Sequence, residues 1–430
     1  MSIQDTMQQL ADRLSNTNNI VGFQIYGTNK TEFVAGFQND QLGTIYQPVQ
    51  QSTNCRIKYL VIGRDQTVGY GSYNPYELTN IEDVVASILQ IMVPLEKTIP
   101  LAPTMDANKS TKLADPAMVE LLQDPSGNVA TAKQFQKQLL EHGCNSVEAQ
   151  FGITYQQSYF VSSKTKLCTS SRTECSYSAE FDSEVGTYAN SITSLTPQDI
   201  AADFAAVANY AKVLKAKPAN IKSGISTVVI DPMSGFELLD RFVLQNISGN
   251  GVAAGTTKYR ADDFRKHLQI AHKDLHLPVD QSVPMSVDSF NFTSDGIGGQ
   301  QFAILDHGKL VEPICNLESA QELDSTPRAL ASIATAQVAS AKYADFCKNH
   351  ERFVVVLGLL GIHTQNHVVG KYSLPAPSAL LVEKGQIIGP VKVAISGNMF
   401  EDLQQKSTSF VNLPGYQKPA LSLQTQIKPL

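Results

Sequence analysis

Nowhere in these 430 residues is there a run of about 18 apolar residues, the length a helix needs to cross a bilayer, so no membrane-spanning helix is expected. The opening residues 1–14 have no basic segment followed by an apolar one. No secretory signal is read there, and the expected location is the cytoplasm. Charged side chains make up only 17% of the chain, and its 34 Lys and Arg are dispersed among 40 Asp and Glu. Nucleic-acid affinity comes mostly from clustered cations that neutralise phosphates, so a net charge of −6 without a basic run argues against direct binding to nucleic acid. Cysteine is scarce as well. The six present include one close pair, Cys168 and Cys175, and form neither a disulfide framework nor a zinc-finger spacing, so reduced structural thiols are expected.

Familiar catalytic motifs are missing too. No Gly-x-Ser-x-Gly elbow occurs, and the glycine-rich run at 296–299 lacks both the strand-to-helix setting and the lysine of a phosphate-cradling loop. Cys144 and Cys347 each have a histidine nearby in sequence, but a Cys/His dyad is assembled in space, not along the chain.

What is present reads as an α+β protein of two domains: an N-terminal α/β-layered domain with an antiparallel sheet, 1–217, and a β-rich C-terminal domain, 218–430. Thr79 and Glu82 read as a capping box before the apolar face Ile81, Val84, Val85 and Ile88. A second helix is expected over 130–142, stopping at Gly143. From Val147 the period changes to two: Val147, Ala149, Phe151, Ile153 and Tyr155 alternate, as do Tyr177, Ala179 and Phe181, which predicts half-buried antiparallel strands. Thr196 as N-cap and Pro197 as first residue predict a long helix with the stripe Ile200, Phe204, Val207, Ala211 and Leu214. The short polar stretch 215–224 is taken as the boundary. Beyond it come a strand at 225–230, a helix around 235–243, irregular chain to 284, and strands with glycine turns from 302, interrupted by a helical stretch at 328–347. Two hairpins echo each other, 304–310 and 381–387, each turning at a polar residue and a glycine.

The stretch 370–403 places glycines where strands must turn. Gly370, Tyr372 and Ser373 lead into a hairpin carrying Val382, Glu383, Gly385, Pro390 and Val391, then Ile395, Gly397 and Asn398. This resembles the C-terminal signature of the TldD/PmbA family. A second block, Phe292 to Gly296 followed by the turn Asp306-His307-Gly308-Lys309, resembles another segment of that family. In the family's catalytic branch a helix after the first strand of the C-terminal domain carries His-Glu-x-x-x-His, and a later cysteine helps hold zinc. Histidines one helical turn apart share one metal, and the glutamate serves as base for its bound water. Here the corresponding stretch, 231–247, has Glu237, Asp240 and Arg241 but no histidine, and no cysteine follows Cys347.

The resemblance therefore implies the PmbA/TldE-type branch, with no catalytic residue and no metal ligand in this chain and the zinc expected in a TldD-type partner. It implies a subunit of a cytoplasmic metallopeptidase that acts on unfolded or leader peptides, contributing chamber wall and peptide binding. The partner is a zinc-bearing TldD-type subunit in a heterodimer or a second copy in a homodimer. Peptide-binding candidates are His363, Asn366, His367, Tyr372 and Ser373, with Asp295 and Gly296. For Asp295, Gly296, Gly397 and Asn398 the competing reading is turn chemistry. Two departures from relatives fall here: Lys371 replaces an acidic residue, and Pro375-Ala376-Pro377 replaces a pair of small residues. One alternative is a stand-alone peptidase with a relocated metal site. It needs 262–275 to be helical, which would bring His272 and His276 together with His267 as a third ligand. His363 and His367 on extended chain would stand about 13 Å apart, too far for one metal. The other alternative is a homodimeric, non-catalytic binding or scaffold protein.

Overall fold

A computed structural model of the chain describes residues 2–38, 41–62, 68–75, 80–90, 93–94, 100–103, 105, 110–142, 148–183, 186–198 and 200–430. It has a mixed α+β architecture built on two large sheets. Helix α1 (Ile3–Ser15) starts in a capping box between Ser2 and Asp5. Strands β1 (Ile20–Gln38), β2 (Gln41–Ile62) and β3 (Val68–Tyr73), helix α2 (Ile81–Gln90), strand β4 (Val93–Pro94) and helices α3 (Pro116–Leu122) and α4 (Pro125–Glu141) follow. Strands β5 (Glu148–Ser162), β6 (Cys168–Ser183) and β7 (Gly186–Ser194) and helix α5 (Ala201–Leu214) complete this half. The sheet order is β4-β3-β2-β1-β5-β6-β7, antiparallel throughout. The period of two has its consequence here. Ala149, Phe151 and Ile153 of β5 and Tyr177, Ala179 and Phe181 of β6 face one side, where they pack with Phe135 of α4 and Phe204 and Val207 of α5.

Helix starts differ from expectation where a specific cap or hydrogen-bond partner intervenes. Thr79, Gly143 and Val147 lie outside the described residues. Helix α2 is capped by Asn80, whose Oδ1 accepts from the N–H groups of Glu82 and Asp83. Helix α4 starts earlier than 130, at Pro125, because Asp124 caps it and proline suits the first helical position. Helix α5 begins at Ala201, not Pro197. The Ser194 hydroxyl donates to the Thr196 carbonyl and the Gln198 N–H donates to the Tyr177 hydroxyl, which ties 196–198 to the sheet.

The other half contains β8 (Gly224–Ile230), α6 (Pro232–Leu239), β9 (Leu277–Asp280), β10 (Gln301–Asp306), β11 (Lys309–Leu310), β12 (Ala341–Lys342), β13 (Arg352–Val356), β14 (Lys371–Glu383), β15 (Gln386–Asn398), β16 (Ser409–Asn412) and β17 (Ala420–Pro429). Strand β8 pairs with β13 on one side and β17 on the other, and β17 also pairs with β15. The ring β8-β13-β14-β15-β17 therefore closes on itself, which leaves it no continuous free edge. Val228 and Ile230 face the core shared with α6, while Val229 faces the opposite side, against Tyr210 and Leu214 of α5 and Phe346. Thus α5, from the first half, covers the outside of the ring.

Both expected hairpins form with matching turns. His307 and Gly308 have φ of 48° and 76°, and Lys384 and Gly385 have φ of 49° and 76°. Two consecutive left-handed residues suit the twist of a two-residue hairpin. The helix expected over 328–347 does not form as one piece, and neither does the 262–275 helix that the relocated-metal alternative required. Over 328–347 the helical pieces are only a 3₁₀ turn, Ile333–Thr335, and the start of the helix Tyr343–Asn349, because backbone N–H groups go elsewhere: Arg328 to the Cys315 carbonyl, Ile333 to Asp240 and Gln337 to the Pro278 carbonyl. Over 262–275 the helix stops at Arg265, His267 turns left-handed, and the Ile270 and Ala271 N–H groups donate to the Gly308 carbonyl. Among the described residues no helix is long and apolar enough to cross a membrane.

Candidate functional site

The signature stretch forms the hairpin β14–β15, in which Lys371, Tyr372 and Ser373 pair with Asn398, Gly397 and Ser396. Strand alternation buries Tyr372 and turns Lys371 and Ser373 outward. These residues, with Gln365 and Glu401, line an open groove of about 590 Å³. Strand β13 pairs with β14 only from Ala379 to Glu383, so among the described residues 371–376 has a strand neighbour on one side alone. Part of the other side is closed by the Leu360 N–H, which donates to the Pro375 carbonyl, and the proline N atoms at 375 and 377 have nothing to donate.

The Tyr372 ring is 3% exposed, and its hydroxyl donates to Asp402 at 2.7 Å and lies 2.7 Å from the Thr425 hydroxyl. Burial pushes the Asp402 carboxyl up to about 6, opposed by the Tyr372 hydrogen bond and assisted by Glu401. Burial, with the Asp402 charge, also raises the Tyr372 phenol. At Gly397 a Cβ would come within 2.8 Å of both Tyr372 and Asp402, so glycine there makes room for this contact. Asn398 caps the short helix Met399–Asp402.

The loop before β14 holds the remaining candidates. Asn366 Oδ1 accepts from the Val368 and Val369 N–H groups, a turn role. His363 is exposed on the 3₁₀ turn Ile362–Thr364, and His367 is half-buried. Desolvation first, and then the Arg241 charge, lowers the His367 pKa. Two residues that sequence reading missed position this loop. Arg241 donates to the Gln365 carbonyl and Asn246 to the His367 carbonyl at 2.7 Å. Both lie on the continuation of α6, the π turn Asp240–Leu244 and the helix Gln245–Ile247. An arginine and an asparagine on a helix look like side chains in water until the loop is seen docked on them.

The same helix occupies the stretch where the resemblance expects zinc ligands. Its inward side chains are Phe236, Leu238, Leu239, Phe242 and Val243, all buried. Asp231 caps it through the Ser234 N–H at 3.1 Å, and burial raises its carboxyl pKa. Asp240 accepts from the Ile333 N–H at 2.7 Å, and Glu237 is exposed.

Asp295 and Gly296 stand apart from the groove, between the two halves. Asp295 forms an ion pair with Lys58 of β2 and lines a cavity of about 330 Å³ with Ser248, Asn250 and Arg328. Gly296 has φ of 71°, and a Cβ there would lie 2.6 Å from Ala102 and from Phe160 of β5. That cavity and the Tyr372 groove share no lining residue. His267, His272 and His276 are not stacked on a helix. Among the described residues the only group of metal-ligand type is His276, Asp306 and His307.

This is an α+β protein with a ring-closed, β-rich second half and an open groove on its signature hairpin. Residues 223–413, most of the second half of the chain, match the PmbA/TldA metallopeptidase C-terminal domain. No curated protein matches the sequence. Three solved structures share the fold over nearly their whole length. A candidate modulator of DNA gyrase from Bacteroides thetaiotaomicron VPI-5482 is 17% identical with a TM-score of 0.76, covering 99% of each chain. A second candidate gyrase modulator, from Thermotoga maritima MSB8, is 16% identical with a TM-score of 0.76, covering 99% of this chain and 100% of its own. TldE from Thermococcus kodakarensis is 15% identical with a TM-score of 0.73, over 99% of this chain and 100% of its own.

Proposed function

We propose that this chain is the PmbA/TldE-type half of a cytoplasmic metallopeptidase, without a catalytic zinc of its own, and that it supplies chamber wall and a peptide-binding groove. The observation that carries this reading is the helix at 232–247, which offers the core Phe236 and Phe242 where a catalytic subunit would offer histidines. Catalysis then belongs to a zinc-bearing TldD-type subunit, and the substrate is an unfolded or leader peptide. The groove beside β14 suits an extended chain: among the described residues 371–374 has a strand neighbour on one side alone, so a peptide backbone can add as a strand, and Lys371, Ser373 and Glu401 are at hand for its polar groups. His363, Asn366 and His367 flank it on a loop fixed by Arg241 and Asn246.

The test is peptidase activity on an unfolded protein substrate, measured for the isolated chain, for a zinc-motif relative from the same source, and for the two co-expressed. Activity confined to the co-purified pair, and lost when the relative's motif histidines are changed, is the expected result. Cleavage by the isolated chain would overturn the proposal in favour of a stand-alone peptidase. A tight homodimer that ignores the relative and cleaves nothing would point to a scaffold.

A further inference from the structure

We propose that His276, Asp306 and His307, none of which lines the peptide groove, form a divalent transition-metal site of the zinc class, with a water completing the coordination. The three come together through sheet register. Leu277 pairs with Leu305 across β9 and β10, so His276 and Asp306 are the next neighbours along the two strands, and His307 is the first residue of the turn that follows. One ligand atom from each lies within 4.8 Å of the others.

The details suit a metal better than an ordinary surface cluster. His276 Nδ1 is 3.2 Å from Asp306 Oδ1, at ion-pair distance, yet makes no hydrogen bond and is shielded from solvent, which leaves a ring nitrogen beside a carboxylate oxygen. Ligand atoms around tetrahedral zinc are roughly 3.4 Å apart for bonds of about 2.0–2.1 Å. His307 Nδ1 lies 3.2 Å from the Lys273 carbonyl, which can only accept; Nδ1 therefore carries the proton and Nε2 is left with its lone pair. That is how a metal-binding histidine is commonly held from behind. Nε2 is 4.0 Å from Asp306 Oδ1, and the histidine rings stack at 4.8 Å. Closing these gaps takes about an ångström of movement and a tilt of the exposed His307 ring out of the stack about its Nδ1 contact with Lys273. The backbone beneath is hydrogen-bonded in place. The Gly308 N–H donates to the Leu275 carbonyl at 2.7 Å, and its carbonyl receives the Ile270 and Ala271 N–H groups. Two imidazoles and one carboxylate favour Zn²⁺, Co²⁺ or Ni²⁺ over Mg²⁺ or Ca²⁺, which prefer all-oxygen shells.

His267 and His272 are not part of this group, whose ligand atoms lie within 4.8 Å of one another; His267 Nδ1 is turned to the Leu310 carbonyl, and His272 Nδ1 accepts from the Asp274 N–H. A metal at this site would replace the expectation of a chain without metal ligands, but it ties a hairpin turn to a neighbouring strand and touches no residue of the peptide groove. It therefore stands or falls independently of the proposed subunit role.

The experiment is titration of chelator-treated full-length protein with Co²⁺, followed by its visible absorption, with Zn²⁺ added in competition. One equivalent per chain is expected, displaced by Zn²⁺, lost in His276→Ala and in His307→Ala, weakened in Asp306→Asn, and unchanged in His267→Ala and His272→Ala. Circular dichroism of each variant separates loss of the site from loss of the fold. Absence of saturable binding in the folded parent, or binding that follows His267 or His272 instead, would overturn the site.

Discussion

The Tyr372 hydroxyl donates to Oδ2 of Asp402 at 2.7 Å, joining the first strand of the signature hairpin to the helix that ends it. Thr425 completes the contact from β17, lying 2.7 Å from the same hydroxyl and donating to the Ser396 carbonyl at 2.9 Å. The signature tyrosine is thus a buried tie between three elements beneath the groove. Removing its oxygen with Tyr372→Phe leaves Asp402 and Thr425 short of a partner, at a cost on the order of 1–3 kcal/mol. Urea unfolding checks this, and a change below about 0.3 kcal/mol would show that the tie is not needed.

Asp402 makes stability depend on pH. Its folded-state pKa is pushed up to about 6 from an ordinary 3.8, so between those values the folded chain holds a proton that the unfolded chain has released. The contribution is present in full below pH about 4 and is lost as pH rises through about 6, with an upper bound of roughly 3 kcal/mol for a shift of this size. Subtracting the pH-stability curve of Asp402→Asn from that of the parent isolates the term. A difference curve that rises with pH over this window would reverse the sign and refute the assignment.

Gly296 is expected to tolerate no side chain. With φ of 71° and the Phe160 ring 2.6 Å from a built Cβ, alanine there is both conformationally strained and crowded. Gly296→Ala should lose roughly 2–4 kcal/mol. Thermal unfolding at parent-like values would mean that the Phe160 side of the junction is loose enough to move away.

Arg172 of β6 clips the two halves together, donating to the Ser289 and Val287 carbonyls at 2.8 Å each. Hydrogen bonds from a charged donor contribute about 1.5–3 kcal/mol, so Arg172→Ala should open the junction. Limited proteolysis would then cut faster within 282–300, and an unchanged cleavage rate would remove Arg172 from this role.

Ser373 faces the groove without entering the core. In the co-purified complex, Ser373→Trp should fill the groove and weaken peptide binding tenfold or more, about 1.4 kcal/mol. Unaltered affinity would move the peptide to another surface.

Local chemistry carried much of the fold. The left-handed turns at His307-Gly308 and Lys384-Gly385 were legible because only a few residue types accept that backbone, and the buried faces of β5 and β6 because a period of two admits one register. Helix limits were less legible. At 196–198 and 328–347 the backbone donors found partners far along the chain, which no local propensity encodes.

By itself, the sequence determined the turns, the alternating strands, the family signature and the absence of histidine from 231–247. Tertiary structure alone decided the rest: the β17–β8 pairing that closes the ring, the meeting of Tyr372 with Asp402 and Thr425, the seating of the 361–370 loop on Arg241 and Asn246, and the exchange of His267 and His272 for Asp306 and His307 beside His276. The physical reason is the range of the forces involved. Turn geometry and side-chain period act within a few residues, whereas hydrogen bonds and ligand clusters form between whichever groups the packed sheets bring within about 3 Å.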